Sequence, residues 1–553
     1  MSTLGQKVIY QIYPKSFYDS NADGIGDLRG IISKIPYLKK LHVDFIWFNP
    51  FFVSPQHDNG YDIADYYQID PRFGTMADFE ALVAGLKAAG IGVMLDMVFN
   101  HCSTAHPWFQ KALAGDPYYQ AFFYLRPAKP DGSLPNNWQS KFGGPAWAKF
   151  GDSHQYYLHL YDPSQADLNW HNPAVRSELQ KIVRFWMHKG VKGFRFDVLN
   201  VIGKGNDLVD STSPEQEKQL YTDTPIVRQY LRELNQATFG QDDGTITVGE
   251  MSSTSIANSI AYTQPGKHGL SMVFTFHHLK VDYQNGQKWT KVPYDFKQLK
   301  NVLTTWQTGM DQGGGWSALF WNNHDQPWAL NRFGDSQHAR VKSAEMLATS
   351  MHLLRGTPFI YMGEEIGMVN PNYQRMSDYV DIEAKNAYEM LLKKGLSPTD
   401  AFAIIKTKAR DNSRTPMHWD NSRYAGFSSV KPWLMPTGQD QINVEAELQH
   451  GEIFTYYQKL IWLRKHEPLI SAGHIAMLWP DDSQVFAYNR SLPGQSQQLL
   501  VINNFSNQSK QLPLGPVWEN RSAKVLISNY GVSLEQLPHV LSLRPYESIA
   551  AKC

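Results

Sequence analysis

IGVMLDMVFNH, residues 91–101, is a near-continuous apolar run of strand length that closes on two polar residues, Asn100 and His101. Seven other segments share its form: VIYQIYP (8–14), DFIWFNP (44–50), GFRFDVLN (193–200), TITVGEM (245–251), SMVFTFHH (271–278), SALFWNNHD (317–325) and TPFIYMGEE (357–365). Runs of this kind suit strands buried on both faces, as in a parallel sheet. Helical stretches such as MADFEALVAGLKAAG (76–90) and PAVRSELQKIVRFWMHKG (173–190) lie between them. Eight strand-like runs with helical returns predict an α/β fold, a (β/α)8 TIM barrel.

The polar residues of these runs gather at their C-terminal ends: Asn100 and His101, Asp197, Glu250, His277 and His278, His324 and Asp325, Glu364 and Glu365. In a barrel those ends share one face, where active sites are built. From 102 to 172 the chain is far longer than one crossover needs, and NNWQSKFGGPAW is rich in Gly, Asn and Trp. This predicts a small inserted domain after the third strand. A second excursion is expected over about 368–430, after the eighth strand. From about 471, VFAYNRS, QLLVINNFS, SAKVLISN and VLSLRPYESIAA are strand-like and separated by turn residues. The expected division is therefore a barrel over 1–101 and 173–470, the insert over 102–172, and a C-terminal all-β sandwich domain over 471–553.

With 553 residues the chain exceeds one compact core. Lys+Arg and Asp+Glu are equal at 52 each, which argues against nucleic acid as a partner. Aromatics reach 13%, enough for a large core and for platforms under flat-faced ligands. Two cysteines, Cys102 and Cys553, make no disulfide framework. No run is long enough for a membrane span, and the first residues lack the apolar core of a signal peptide. The expectation is a cytoplasmic protein with no membrane partner. No feature sets its oligomeric state, and a monomer is compatible with all of it.

Arg195 precedes Asp197 by two, so in a strand the two share a side. A cation there is expected to hold the carboxylate ionised, as a nucleophile requires. Glu250, after TVG, is expected among apolar neighbours and other acids, which raises a carboxyl pKa and makes a proton donor. Asp325 follows His324. Three carboxylates at one mouth suit glycosidic cleavage, although such a set could equally hold metals for hydrolysis.

DMVFNH (96–101), GFRFD (193–197), GE (249–250) and NNHD (322–325) resemble, in order and spacing, the four signature segments of glycoside hydrolase family 13, the α-amylase family. QADLN (165–169) resembles a fifth segment of its oligo-1,6-glucosidase branch, with Ala166 where Pro is usual. NGYD (59–62), YMGEEIGM and RDNSRTPMHW (410–419) are similar to the same branch. The resemblance covers essentially the whole chain. It implies Asp197 as nucleophile, Glu250 as general acid and base, and Asp325 as the carboxylate gripping the sugar hydroxyls. It also implies Asp62, His101, Arg195, His324 and Arg414 as the residues that hold the non-reducing glucose, with retention of configuration.

DSNADGIGDLRG (19–30) spaces Asp19, Asn21, Asp23, Ile25 and Asp27 as a calcium loop does, but Gly30 stands where an EF-hand places its bidentate Glu. The resemblance implies a structural Ca2+ or Mg2+ there, after the first strand; no organic cofactor is implied. SMVFTFHHLKVDYQNGQKW (271–289) is similar to the subgroup that cleaves α,α-trehalose 6-phosphate to glucose and glucose 6-phosphate. A phosphorylated sugar brings negative charge to a mouth of carboxylates, and lysines would offset the repulsion. Lys280 and Lys288 are the candidates, with Lys291 a weaker third. The competing readings are an oligo-1,6-glucosidase, a trehalose synthase, and a non-catalytic scaffold. The scaffold form of this barrel carries a membrane anchor and has lost active-site acids, whereas all three acids are present here.

Overall fold

The computed structural model describes residues 3–553. Eight strands form one parallel sheet: β1 (Ile9–Ile12), β2 (Phe45–Phe48), β3 (Gly92–Met97), β4 (Gly193–Phe196), β5 (Ile246–Glu250), β6 (Met272–Phe274), β7 (Ala318–Leu319) and β8 (Thr357–Tyr361). Their order is β6-β5-β4-β3-β2-β1-β8-β7, so each strand lies beside its sequence neighbour and β1 pairs with β8. The ring closes where the Val273 N–H donates to the Trp316 carbonyl at 3.3 Å, next to a parallel bridge from Val273 to Ser317. The barrel expected from the eight apolar runs is therefore present. Each strand is shorter than its run. Apart from Glu250, the polar residues at the run ends leave the ladder and become the loops of the mouth.

Helices return the chain outside the barrel. α1 (Met76–Ala88) starts at a capping box in which the Asp78 N–H donates to the Thr75 hydroxyl and the Thr75 N–H donates to the Asp78 carboxylate. α2 (Pro173–His188) is capped by Asn172, has Pro at its first position and buries Val175, Leu179, Ile182, Val183 and Trp186. α3 (Arg340–His352) precedes β8, and α4 (Ile382–Lys393) and α5 (Pro398–Lys408) form the excursion after it. α6 (Ile453–His466) ends the barrel. At Gly193 a Cβ would lie 2.7 Å from the Met94 Cβ, so only glycine lets β4 sit in register on β3.

The insert is anchored by an antiparallel pair, His101–Ser103 with Gln165–Asp167, and carries a three-stranded sheet. Its core (Trp138, Trp147, Leu158) is shared with Val198, Val201 and Tyr221 from the segment after β4. A buried ammonium pins this junction. Lys204 Nζ lies 2.9 Å from Asp167 Oδ2 and donates to Asn100 Oδ1 at 2.7 Å and to the Val201 carbonyl at 2.8 Å. The C-terminal domain has a five-stranded antiparallel sheet, β9 (His474–Leu478), β10 (Val485–Ser491), β11 (Gln498–Asn504), β13 (Lys524–Ser528) and β15 (Ser548–Lys552), and a pair, β12 (Lys510–Pro513) with β14 (Val540–Leu543). Among the described residues no helix is long and apolar enough to cross a membrane.

Candidate active site

Asp197 follows the last residue of β4, and Glu250 is the last of β5. Arg195, buried between them, joins both. Its Nη1 donates to Asp197 Oδ1 at 2.6 Å and to Asp96 Oδ1 at 2.7 Å, and its Nη2 donates to Glu250 Oε2. The period-2 geometry of a strand thus puts the guanidinium beside Asp197, as its spacing predicts. The next residue, Val198, has φ +36°, a left-handed conformation strained for a β-branched side chain, at the sharp turn that presents Asp197. Asp325 sits across the cavity after β7. It accepts from Arg414 Nη2 at 2.6 Å and lies 3.3 Å from His324 Nε2 and 3.5 Å from Arg410 Nη1. Asp197, Glu250 and Asp325 all line one cavity of about 340 Å3, within the ~300–1,000 Å3 usual for small-molecule sites.

His101, Tyr61, Asp58 and Arg410 line the same cavity. His324 and Arg414 stand behind Asp325: the Arg414 Nε donates to the His324 carbonyl at 2.7 Å, and the His324 ring bridges Gln11 and Tyr61. Arg195 likewise lies behind the acids rather than on the open wall. Asp62, expected to hold sugar, does not reach the cavity. Its carboxylate accepts from the Ser54 hydroxyl and from the His57 and Asp58 N–H groups, closing the 54–62 turn. Asp58, four residues earlier, lines the cavity and pairs with Arg410 at 3.2 Å. The same substitution of neighbours occurs at the arginines: Arg410 faces the cavity where Arg414 was expected. DNGYD holds two acids and RDNSR two arginines, and nothing in either pattern says which member turns inward.

Burial raises the Glu250 pKa, with Asp325 adding to the shift and Arg195 opposing it. Asp197 departs from expectation. Burial raises it too, and Glu250 adds to that, so Arg195 does not hold it low. The two carboxyls share the Arg195 guanidinium, so their protonation is linked and they titrate as a pair. Burial alone would also raise Asp325, but the charges of Arg410 and Arg414 hold it well below the usual carboxylate range. Burial pushes His324 down to about 3 and His101 down to about 4, so both rings are neutral.

Lys280 and Lys288 both line the cavity, and so do Lys141 from the insert and Lys218 from the helix Pro214–Tyr221. Lys288 is already paired, 2.8 and 2.7 Å from the two Glu383 oxygens. Lys291 lies in a separate cleft with Arg332 and Lys408 and has no place in the site.

In the 19–30 loop the carboxylates cap main chain. Asp19 accepts from the Asn21, Ala22 and Gly24 N–H groups, Asp23 from Ile25, and Asp27 from Ser20 and Gly30. Among the described residues no three His, Cys, Asp or Glu side chains are grouped as a metal site. The donors that fit a hard cation are oxygens: the side chains of Asp19, Asn21, Asp23 and Asp27 and the Ile25 carbonyl.

A family model described as the catalytic domain of alpha-amylase matches residues 11–473, and one described as the alpha-amylase SusG C-terminal domain matches residues 485–550. The chain belongs to the α-amylase family. Within this family it is 48% identical to a trehalose-6-phosphate hydrolase of Bacillus subtilis over 98% of this chain and 96% of that one. It is 43% identical to an oligo-1,6-glucosidase of Parageobacillus thermoglucosidasius over 98% of this chain and 97% of that one. The crystal structure of Bacillus licheniformis trehalose-6-phosphate hydrolase superposes with a TM-score of 0.94 at 46% identity, covering 99% of each chain. The α-amylase fold thus accounts for the barrel and for the C-terminal sheet.

Proposed function

We propose that this chain is a retaining α-glucosidase that hydrolyses α,α-trehalose 6-phosphate to glucose and glucose 6-phosphate. The observation that carries the reading is the meeting of Asp197, Glu250 and Asp325 in one cavity that Lys280 also lines. The trehalose-6-phosphate hydrolases among its relatives support the choice of substrate. In the first step Glu250 donates its proton to the glycosidic oxygen while Asp197 attacks the anomeric carbon. The carbon–oxygen bond breaks, glucose 6-phosphate leaves, and a glucosyl ester forms on Asp197. Glu250, now ionised, takes a proton from water. The hydroxide attacks the same carbon from the face the leaving group vacated, freeing glucose and Asp197. Asp325, kept ionised by two arginines, accepts from the sugar hydroxyls and tightens as positive charge grows on the ring. A sugar inserted between Asp197 and Glu250 separates the pair and leaves the proton on Glu250. A phosphorylated substrate places the reaction in the cytoplasm, with a small sugar phosphate as partner.

The test is turnover of trehalose 6-phosphate, trehalose and isomaltose by the same preparation. We expect kcat/KM for the phosphorylated sugar to exceed both others by at least about tenfold, the scale of one hydrogen bond to a charged group. Preference for isomaltose would instead make the chain an oligo-1,6-glucosidase.

The loop at 19–27 is proposed to hold Ca2+ or Mg2+ through the oxygens of Asp19, Asn21, Asp23, Ile25 and Asp27. Asp19 also accepts from the Ser428 hydroxyl at 2.6 Å, so an ion there would tie the first loop to the excursion after β8. EDTA is expected to lower Tm and Ca2+ to restore it. A Tm indifferent to both would leave the loop a self-capped turn.

A further inference from the structure

Gln11 is the one amide side chain of β1; it is buried and does not line the cavity. Its Nε2 makes two hydrogen bonds, to Asn49 Oδ1 at 2.8 Å and to His324 Nδ1 at 2.9 Å. The other ring nitrogen of His324, Nε2, lies 2.8 Å from the Tyr61 hydroxyl and 3.3 Å from Asp325 Oδ2. Asn49 Nδ2 donates to the same hydroxyl at 2.8 Å. That hydroxyl donates to Asp96 Oδ2 at 3.0 Å, and Asp96 Oδ1 accepts from Arg195, which also donates to Asp197. An unbroken chain of hydrogen bonds thus joins an amide on β1 to the histidine beside Asp325 and to the arginine beside Asp197.

The number of protons fixes the direction of this chain. Asp96 also accepts from Trp47 Nε1 at 3.3 Å, and neither indole nor guanidinium can do anything but donate, so Asp96 is the terminal acceptor. A tyrosine hydroxyl has one proton and two lone pairs. Tyr61 gives its proton to Asp96, so Asn49 and His324 must both donate to it. Were the Gln11 amide turned round, its oxygen would face Asn49 and His324 Nδ1. The imidazole proton would move to Nδ1 and the Asn49 amide would have to turn as well. Tyr61 would then face three acceptors with one proton. Only the first arrangement gives each buried contact a donor, as buried polar groups require. The hydrogen bond at one ring nitrogen decides where the proton sits on the other.

We propose that Gln11 is a positioning residue that holds His324 as its Nε2–H tautomer, so that an N–H and not a lone pair faces Tyr61 and Asp325. The inference rests on the reading of Asp325 as the acid that grips the sugar. With the opposite tautomer a lone pair would stand 3.3 Å from the Asp325 carboxylate and would compete with Asp96 for the Tyr61 proton. Asp325 would meet repulsion where it now meets a donor, and Asp96 would lose a hydrogen bond.

Gln11→Glu keeps the size of the side chain and replaces the donor with an acceptor. The experiment measures kcat and KM in wild type and Gln11→Glu between roughly pH 5.5 and 8, with trehalose 6-phosphate and with an activated aryl α-glucoside. At the alkaline end kcat of the variant is expected to be about tenfold or more below wild type, with KM changed less than about threefold. Towards the acid end a proton returns to the introduced carboxyl or to His324. Either restores the N–H at Nε2, so the deficit should shrink to about threefold or less. A deficit equal at every pH, or none, overturns the proposal, because a packing defect does not titrate. Should Gln11→Glu fail to fold, neutron diffraction from deuterium-exchanged wild-type crystals decides alone. A deuteron on His324 Nε2 with Nδ1 bare is the expected result, and a deuteron on Nδ1 overturns the proposal. A wild type that cleaves the aryl glucoside but not trehalose 6-phosphate overturns the substrate reading and leaves this one to the same two measurements.

Discussion

Arg195 touches three carboxylates, those of Asp96, Asp197 and Glu250, from a buried position. One guanidinium cannot neutralise three acids, so protons remain in the cluster near neutrality. Burial likewise pushes Asp96 up to about 7. For catalysis the useful state of the Asp197–Glu250 pair has one proton. Below the first ionisation of the pair both are protonated and no nucleophile exists. Above the second both are charged and no acid remains. The kcat/KM profile is therefore expected to be bell-shaped. Glu250→Gln should remove the alkaline limb with an activated aryl α-glucoside, whose leaving group needs no proton; a limb that persists would assign it to another group. Asp197→Asn should lower kcat by about 10^4-fold or more with Tm little changed, since loss of a nucleophile has costs of that order. A residual rate close to wild type would mean that the nucleophile lies elsewhere.

At the scale of elements, the end of β8 carries two acids that do no chemistry. Glu365 accepts from the Tyr10 and Tyr37 hydroxyls, both at 2.6 Å, and Glu364 accepts from Asn322 and Tyr457. They bind the start of β1 and the outer helices to the β8 loop. Burial pushes each up to about 7, against the hydrogen bonds that favour ionisation. The folded state therefore holds protons that the unfolded chain, with Glu near 4.3, has released. The stability from these protons is complete below the unfolded pKa and is lost as pH rises through about 7. Glu365→Gln should flatten that decline, by on the order of 1–3 kcal/mol between pH 5 and 8, in urea titrations at several pH values. An unchanged slope would show that Glu365 is ionised throughout. Polar residues at the end of a barrel strand are thus not all catalytic; some hold the mouth in shape.

Across the whole molecule, the C-terminal sheet docks on the barrel through buried polar side chains. Arg490 donates to the Leu353 carbonyl of the barrel at 2.7 Å and to the Gly473 carbonyl of its own domain at 2.6 Å, while Arg464 of α6 binds the barrel's own carbonyls at Gly5, Leu354 and Gly356. Tyr488 of β10 adds a bond to the Ser350 carbonyl of α3 at 3.1 Å. These carbonyls are turned away from water, so each needs its donor. Arg490→Met is expected to cost about 3 kcal/mol and to lower the unfolding midpoint, because it leaves buried acceptors unpaired. A loss below about 1 kcal/mol would mean that water replaces the guanidinium. Among the described residues none of the C-terminal domain lines the cavity, so this domain supports the barrel and not the mouth.

The sequence by itself determined the barrel. Eight apolar runs closing on polar residues dictate strands buried on both faces, and strand period places Arg195 beside Asp197. It also placed the three acids, because strand ends share one face whatever the loops do. Three matters were decided only by tertiary structure. Asp58 rather than Asp62, and Arg410 rather than Arg414, face the cavity, since a loop has no fixed period from which to read direction. Asp197 is shifted up, not down, because burial and Glu250 outweigh the neighbouring arginine, and burial is not written in local spacing. Lys141 and Lys218 reach the same cavity as Lys280, while Glu383 neutralises Lys288. Residues so distant in the chain line one cavity only after the insert and the excursion fold over the mouth.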